Sequence, residues 1–421
     1  MTAFRFVHTA DLHLDSPFTG LAGSAPERVA RTLRDATFQA YDAIIDLCIR
    51  ERVDALFIAG DIYDGADRSL RAQRKFISGL NRLHEAGIRS FVCHGNHDPL
   101  DGWEAGLNLP GSCHRFGPEV ESVPLDPSDL SRGMVYGMSY PRQSVKENIA
   151  LRFKRDSSEG LAIGLLHCNV GANTGHEPYA PCTLDDLVAA GMDYWALGHV
   201  HTPQVLRAQS PAVVYPGNPQ GRHPNETGPR GVCLVTIDDA RRVTIESRPL
   251  DVVRWANISV PIDGLGGLQD LLDRIASEVS TALDEADGRH LLYRLALIGQ
   301  GEPHHDLQRT GVLEEIRTDR NDSIGSPFAW CGRIDNLTRP SFDREQALGA
   351  GDFLSEVLAL VDAARHDPAA QAGLTAGLDL FYAHDRARKY LKDALPTGDD
   401  FVRLLAEAET LIAEHLLGDL A

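Results

Sequence analysis

From Phe4 to about Leu250, short apolar runs alternate with longer stretches whose apolar positions recur at helical spacing. The runs Phe4 to His8, Ala55 to Ala59, Ser90 to Cys93, Leu161 to Leu166 and Tyr194 to Leu197 are short and rich in β-formers, which predicts strands. Between them, Ala36 to Ile49 puts Phe38, Tyr41, Ile44, Ile45 and Cys48 on one helix face, and Leu70 to Ala86 has a comparable pattern. Such alternation predicts a layered α/β fold. After Asp251 the pattern changes. Asn257 to Val260 and Leu291 to Ile298 read as strands around a helix from Leu268 to Leu283, and Gly299 to Glu302 break the second strand. From Phe353 onward the chain reads as helical, with Phe401, Leu404, Leu405, Ala408, Leu411 and Ile412 on one face. The expected division is residues 1–251, then a small α/β domain over 252–345, then a helical region over 346–421.

Composition adds constraints rather than chemistry. A chain of 421 residues exceeds what one core organises, in keeping with two or three domains. With 43% hydrophobic and 24% charged residues, it has the make-up of a soluble globular protein. No apolar run reaches the length of a membrane span. The formal charge of −19 argues against a surface that is one large nucleic-acid footprint, so any DNA contact must be local. Seven cysteines, odd in number and without a C-x-x-C pair, give neither a zinc knuckle nor a disulfide framework, and a reducing cytoplasm fits them best.

The chemistry sits just after the strands. Two metal ions about 3.5–4 Å apart can activate a hydroxide and stabilise displacement at phosphorus, provided the chain supplies a bridging carboxylate and open positions. Asp11 and His13 follow the first strand, one residue apart, so a turn can aim both at one ion. Gly60-Asp61-Ile62-Tyr63-Asp64 follows the second, where a carboxylate can bridge. Gly95-Asn96-His97-Asp98 follows the third, with an amide oxygen to ligate and an imidazole to donate a proton. His167 ends the fourth, and Gly198-His199-Val200-His201 ends the fifth. Singly, each element reads more readily as a polar turn or a core histidine. Five in order, each after a strand and each of a ligating type, point to a dinuclear metal site that cleaves phosphate esters.

The series D-x-H, G-D-x-x-D, G-N-H-D, H and G-H-x-H resembles the calcineurin-like metallophosphoesterases over residues 4 to 250. The resemblance implies a layered β-sandwich flanked by helices, capped by the small α/β domain and followed by the C-terminal helices. The runs His8 to Leu14, Ala59 to Asp64 and Tyr215 to His223 are similar to the DNA-repair exonuclease branch, the nuclease subunits of the SbcD kind and their YhaO-like relatives. Carried over position by position, the resemblance gives Asp11, His13, Asp61 and His201 to one metal. It gives Asp61, Asn96, His167 and His199 to the other, with Asp61 as the bridge. His97 would orient the phosphate or protonate the leaving oxygen, and Asp98 would orient His97 through a hydrogen bond. Mixed oxygen and imidazole ligation suits manganese, with iron, zinc or magnesium as substitutes. Some nucleases of this family have a histidine at the position of Asp64, so no catalytic role passes to it.

Weaker signals complete the reading. Arg222 and His223, after a Gly-rich turn, could reach a phosphate of the substrate backbone or form an exposed basic turn. Thr9 and Ser16 read as turn residues with local hydrogen bonds. The apolar face of Phe401 to Ile412 either packs on its own domain or, as the resemblance implies, docks the coiled-coil base of an ATPase of the SbcC type. A homodimer stays open, and no membrane partner is expected. The leading expectation is a metal-dependent DNA exonuclease in repair or recombination. A small-molecule phosphodiesterase or phosphatase and a scaffold subunit of such an ATPase complex are the alternatives.

Overall fold

A computed structural model describes residues 3–19, 25–65, 69–156, 160–171, 179–322, 325–340, 344–367, 369–371, 373–374 and 399–418. The strands are β1 (Phe4–Thr9), β2 (Ala55–Ala59), β3 (Arg89–Cys93), β4 (Cys113–Arg115), β5 (Glu121–Pro124), β6 (Gly133–Gly137), β7 (Leu161–His167) and β8 (Tyr194–Gly198). They continue with β9 (Gln204–Arg207), β10 (Ala212–Tyr215), β11 (Gly231–Ile237), β12 (Val243–Pro249), β13 (Val253–Pro261), β14 (His290–Gln300) and β15 (Ala329–Arg339). The helices are α1 (Glu27–Glu51), α2 (Leu70–Glu85), α3 (Leu184–Ala189), α4 (Leu268–Glu285), α5 (Pro303–Leu307), α6 (Val312–Asp322), α7 (Arg344–Gly349), α8 (Phe353–His366) and α9 (Asp399–Gly418).

Two six-stranded sheets, ordered β12-β11-β1-β2-β3-β4 and β5-β6-β7-β8-β10-β9, pack face to face. Strict alternation along the central strands decides the layers. On β2, Ala55, Phe57 and Ala59 join the core between the sheets with Phe6, Phe91, Ile163, Leu165 and Tyr194. Leu56 and Ile58 turn the other way, onto Tyr41, Ile44 and Ile45 of α1 and Phe76 and Leu80 of α2. On the far side, Trp195 and Leu197 of β8 pack with Leu166, Val213 and Leu187 of α3. The result is the helix–sheet–sheet–helix sandwich expected from the sequence. Strands β1 to β4 run parallel, as do β6, β7, β8 and β10, so the carboxyl ends of β1, β2 and β3 share a rim and those of β7 and β8 share another.

The chain divides into two compact units. One comprises Met1–Ile258, Val279–Arg294 and Arg317–Arg333, and the other Ser259–Glu278, Leu295–Ile316 and Ile334–Ala421. This differs from the three consecutive ranges read from the sequence. Val253, Trp255, Leu292, Phe328 and Trp330 bury against Val29, Leu33 and Ala36 of α1, so pieces of the middle segment belong to the first core. Within the second unit, Phe401 and Leu405 of α9 pack on Val361 and Ala364 of α8. Glu409, one turn on, is buried between Arg344 and Arg365, whereas Leu404 and Leu411 stay exposed. The stripe on α9 is thus wider than the face its neighbours cover. No helix among the described residues is long and apolar enough to cross a membrane.

Candidate metal centre

The loops after β1 and β2 are stitched together. Asp11 N–H donates to Gly60 O at 3.0 Å, His13 N–H to Asp61 O at 3.0 Å and Leu14 N–H to Ile62 O at 2.8 Å. Asp11, His13, Asp61 and His199 all adopt left-handed backbone, with φ of 53°, 42°, 51° and 103°. Side chains with a Cβ avoid this region at a cost of roughly 1–3 kcal/mol each, and such strain gathers where function requires it. Two glycines leave the space these side chains need. A Cβ on Gly60 would lie 2.4 Å from His167 Nδ1, and one on Gly95 would lie 2.3 Å from Asp61 Oδ1.

The expected ligands fall into two neighbouring groups. In the first, His13 Nε2 lies 3.2 Å from His201 Nε2, which is 3.9 Å from Asp11 Oδ1. In the second, His167 Nε2 lies 3.4 Å from Asp61 Oδ2 and 3.0 Å from Asn96 Oδ1, and the His199 ring centre is 5.3 Å from that of His167. Candidate ligand atoms of Asp11, Asp61 and His167 also converge to within 4.8 Å of one another, which joins the groups. The His199 N–H donates to both Asp11 oxygens, at 3.2 and 3.1 Å, and so ties the two sheets' rims together.

Burial and the facing charges shift the ionisation of these side chains in both directions. Burial pushes the Asp11 carboxyl up to about 6, despite His201 and His167 nearby. Burial also opposes the charge on Asp61, but the charge and hydrogen bond of His167, with His13 and His97 beyond, hold it well below the usual carboxylate range. For His167 burial favours the neutral ring, yet Asp61 and Asp11 raise it to about 9. His13 is driven far down, first by burial and then by the charges of Arg222 and His201, and its buried Nδ1 makes no hydrogen bond. Closely facing oxygens and imidazole nitrogens are the donor set of a divalent metal site, and the residues present fit one.

His97 stands at the edge of this cluster, and its backbone N–H donates to Asp61 Oδ1 at 2.9 Å. Its Nδ1 lies 2.8 Å from Asp64 Oδ1, and Asp64 Oδ2 accepts from Arg222 Nη1 at 3.0 Å. The Asp64 hydrogen bond raises the His97 pKa against partial burial, while the His97 bond, aided by His13 and Arg222, holds Asp64 well below its usual range.

Asp64 therefore makes the contact expected of Asp98. Asp98 is fully buried and acts on backbone instead: Oδ2 accepts from Ile62 N–H at 2.8 Å and lies 3.1 Å from His94 Nδ1, and Oδ1 accepts from Gly95 N–H at 2.8 Å. Arg222, rather than forming an exposed basic turn, is directed onto Asp64 beside the candidate metal residues. His223 is exposed, and its Nδ1 accepts from Asn225 N–H at 3.1 Å within its own turn. Ser16 does make a local turn bond, its N–H donating to His13 O at 3.2 Å, whereas Thr9 ends β1; both hydroxyl oxygens are buried without a hydrogen-bond partner. Glu226, which no sequence motif marked, reaches His201 Nδ1 at 2.5 Å.

Residues 4–203 match the family described as calcineurin-like phosphoesterase, and residues 255–339 match the middle domain of metallophosphoesterase YhaO. The metallophosphoesterase YhaO of Bacillus subtilis (strain 168), whose name assigns no substrate, is 36% identical over 344 residues, covering 80% of this chain and 83% of that protein. The DNA double-strand break repair protein Mre11 of Aeropyrum pernix is 27% identical over 51% of this chain and 53% of its own length. A subunit of the nuclease SbcCD from B. subtilis is 24% identical over 56% of this chain and 66% of its own length. The chain thus spans about half the length of the Mre11 relative it matches. It belongs to the calcineurin-like metallophosphoesterases, with relatives in the DNA-repair nuclease branch, and is accordingly a phosphoesterase of a family that uses dinuclear metal centres.

Proposed function

We propose that this chain is a DNA exonuclease of repair or recombination that hydrolyses phosphodiesters with two divalent ions, manganese foremost. One observation carries the reading: candidate ligand atoms of Asp11 converge with those of His13 and His201 and also with those of Asp61 and His167, and His97, bonded to Asp61 through its backbone and to Asp64 through its ring, stands beside them. Asp11, His13, Asp61 and His201 would hold the first ion, and Asp61, Asn96, His167 and His199 the second. When bound, such a pair lowers the pKa of water and stabilises charge developing on phosphate oxygens.

The chain's own residues orient and protonate. His167 lies with Nδ1 2.9 Å from Ala59 O, so this nitrogen donates and Nε2 is left facing Asp61 and Asn96. His97 gives its Nδ1–H to Asp64 and keeps an Nε2–H for the oxygen leaving phosphorus. DNA as substrate is supported by the relatives named as a double-strand break repair protein and a nuclease subunit. A role for the second unit in holding DNA, an ATPase partner for the C-terminal helices and a cytoplasmic setting extend this reading; exposed Phe353, Leu360, Leu404 and Leu411 offer the helices an apolar surface for such a partner.

The test is turnover of an end-labelled DNA duplex with manganese, compared with an aryl phosphodiester and a cyclic nucleotide. Release of nucleotides from DNA that His97→Ala reduces by about 10²–10⁴-fold is the expected result. Activity confined to the small esters would reject DNA as the substrate. Co-purification with a large coiled-coil ATPase, without turnover of any ester, would favour a scaffold.

A further inference from the structure

Glu226 sits where three parts of the site meet. One carboxylate oxygen lies 2.5 Å from His201 Nδ1. The other accepts from the backbone N–H groups of Arg222 at 2.6 Å and His223 at 3.0 Å. The Glu226 N–H donates to His223 O at 2.8 Å and closes the turn. From that turn Arg222 reaches Asp64, and Asp64 reaches His97. A single side chain is therefore bonded to an expected ligand of the first metal and to the loop that braces the acid.

Orientation follows from hydrogen-bond capacity. An ionised carboxylate only accepts, so the proton between Glu226 and His201 belongs to Nδ1. In the neutral ring that ligates a metal, Nε2 then carries the lone pair, and it faces His13 Nε2 at 3.2 Å. The His201 carbonyl is held as well, by Asn218 N–H at 3.2 Å and by the Arg230 guanidinium, so the backbone is fixed independently of the ring. Ring plane and tautomer are what Glu226 adds.

We propose that Glu226 is a positioning residue for the metal pair: it sets the tautomer and plane of His201 and, through the Arg222 turn, the bracing of His97. The proposal rests on His201 being a metal ligand. The test is equilibrium dialysis of the metal-free 421-residue chain against manganese, with bound ions counted across the titration, for the wild type, Glu226→Ala, Glu226→Gln and His201→Ala. Two ions should bind the wild type. Glu226→Ala should weaken one by about 10- to 100-fold and leave the other within about twofold. Glu226→Gln, whose amide oxygen still accepts from Nδ1–H, should recover part of the loss.

Unchanged binding of both ions in Glu226→Ala overturns the proposal. Equal weakening of both overturns it too, because the carboxylate would then serve the fold at large; Glu226→Gln carries the same comparison if the alanine variant fails to fold. If His201→Ala itself keeps two ions at wild-type affinity, the ligand assignment falls instead, and the two failures are told apart.

Discussion

Replacing Asp64 by Asn removes a charge from the His97 contact while leaving an oxygen to accept the Nδ1–H. The contact is 2.8 Å long, and Asp64 is the first cause of the raised His97 pKa. A hydrogen bond to a charged group contributes about 1.5–3 kcal/mol, or about 10- to 150-fold in rate when it acts in the transition state. The Asp64 side chain is 34% exposed, so water screens part of this, and a loss of about 10- to 40-fold in kcat is expected. The pH profile gives the sign. Asp64 raises the His97 pKa, so the protonated acid persists to higher pH, and activity falls as pH rises through that pKa. Without the charge, the alkaline fall should begin at lower pH. Steady-state rates on an aryl phosphodiester at saturating manganese, from pH 5 to 10, measure both effects. An unmoved alkaline limb in Asp64→Asn, alongside a shifted one in Asp98→Asn, would refute the assignment and restore Asp98 as the partner.

Three other changes separate the parts of the site. Asp61→Asn should abolish turnover and loosen both ions if Asp61, whose ligand atoms converge with those of Asp11 and His167, is the bridge; metal analysis that finds two tightly held ions would count against it. Gly95→Ala would put a Cβ 2.3 Å from Asp61 Oδ1 and 2.8 Å from the His167 ring, so metal affinity should drop with little change in the far-UV spectrum, and a variant that retains both ions would show the crowding to be relieved elsewhere. Asp98→Asn offers an amide hydrogen to one of two backbone donors, which should cost roughly 1–3 kcal/mol of stability in denaturant unfolding; wild-type stability would contradict the loop-clamping role.

The strands were legible because Ala55 to Ala59 and Tyr194 to Leu197 are unbroken apolar runs of strand length; that their alternate residues go to different cores is visible only in the fold. The ligands were legible because each follows such a strand. Partners across the site were not. Which carboxylate meets His97 depends on where the turn after β2 aims Asp64, and that turn is fixed by pairing with the loop after β1, a contact between distant segments. Glu226 lies in a turn with no periodic signal, and only the fold brings it to His201. The compact units were hidden for a related reason: Leu292 and Phe328 have the apolar character of any core residue, and nothing in their spacing says that α1 covers them. On α9, an even apolar stripe concealed that Glu409 takes a buried place between two arginines.

Diffraction from crystals grown with manganese, recorded at its absorption edge, tests the central claim most directly. Two anomalous peaks about 3.5–4 Å apart, with an Asp61 oxygen between them, His13 and His201 on one and Asn96 and His167 on the other, are expected. A single peak, or a pair located away from Asp61, would contradict the account.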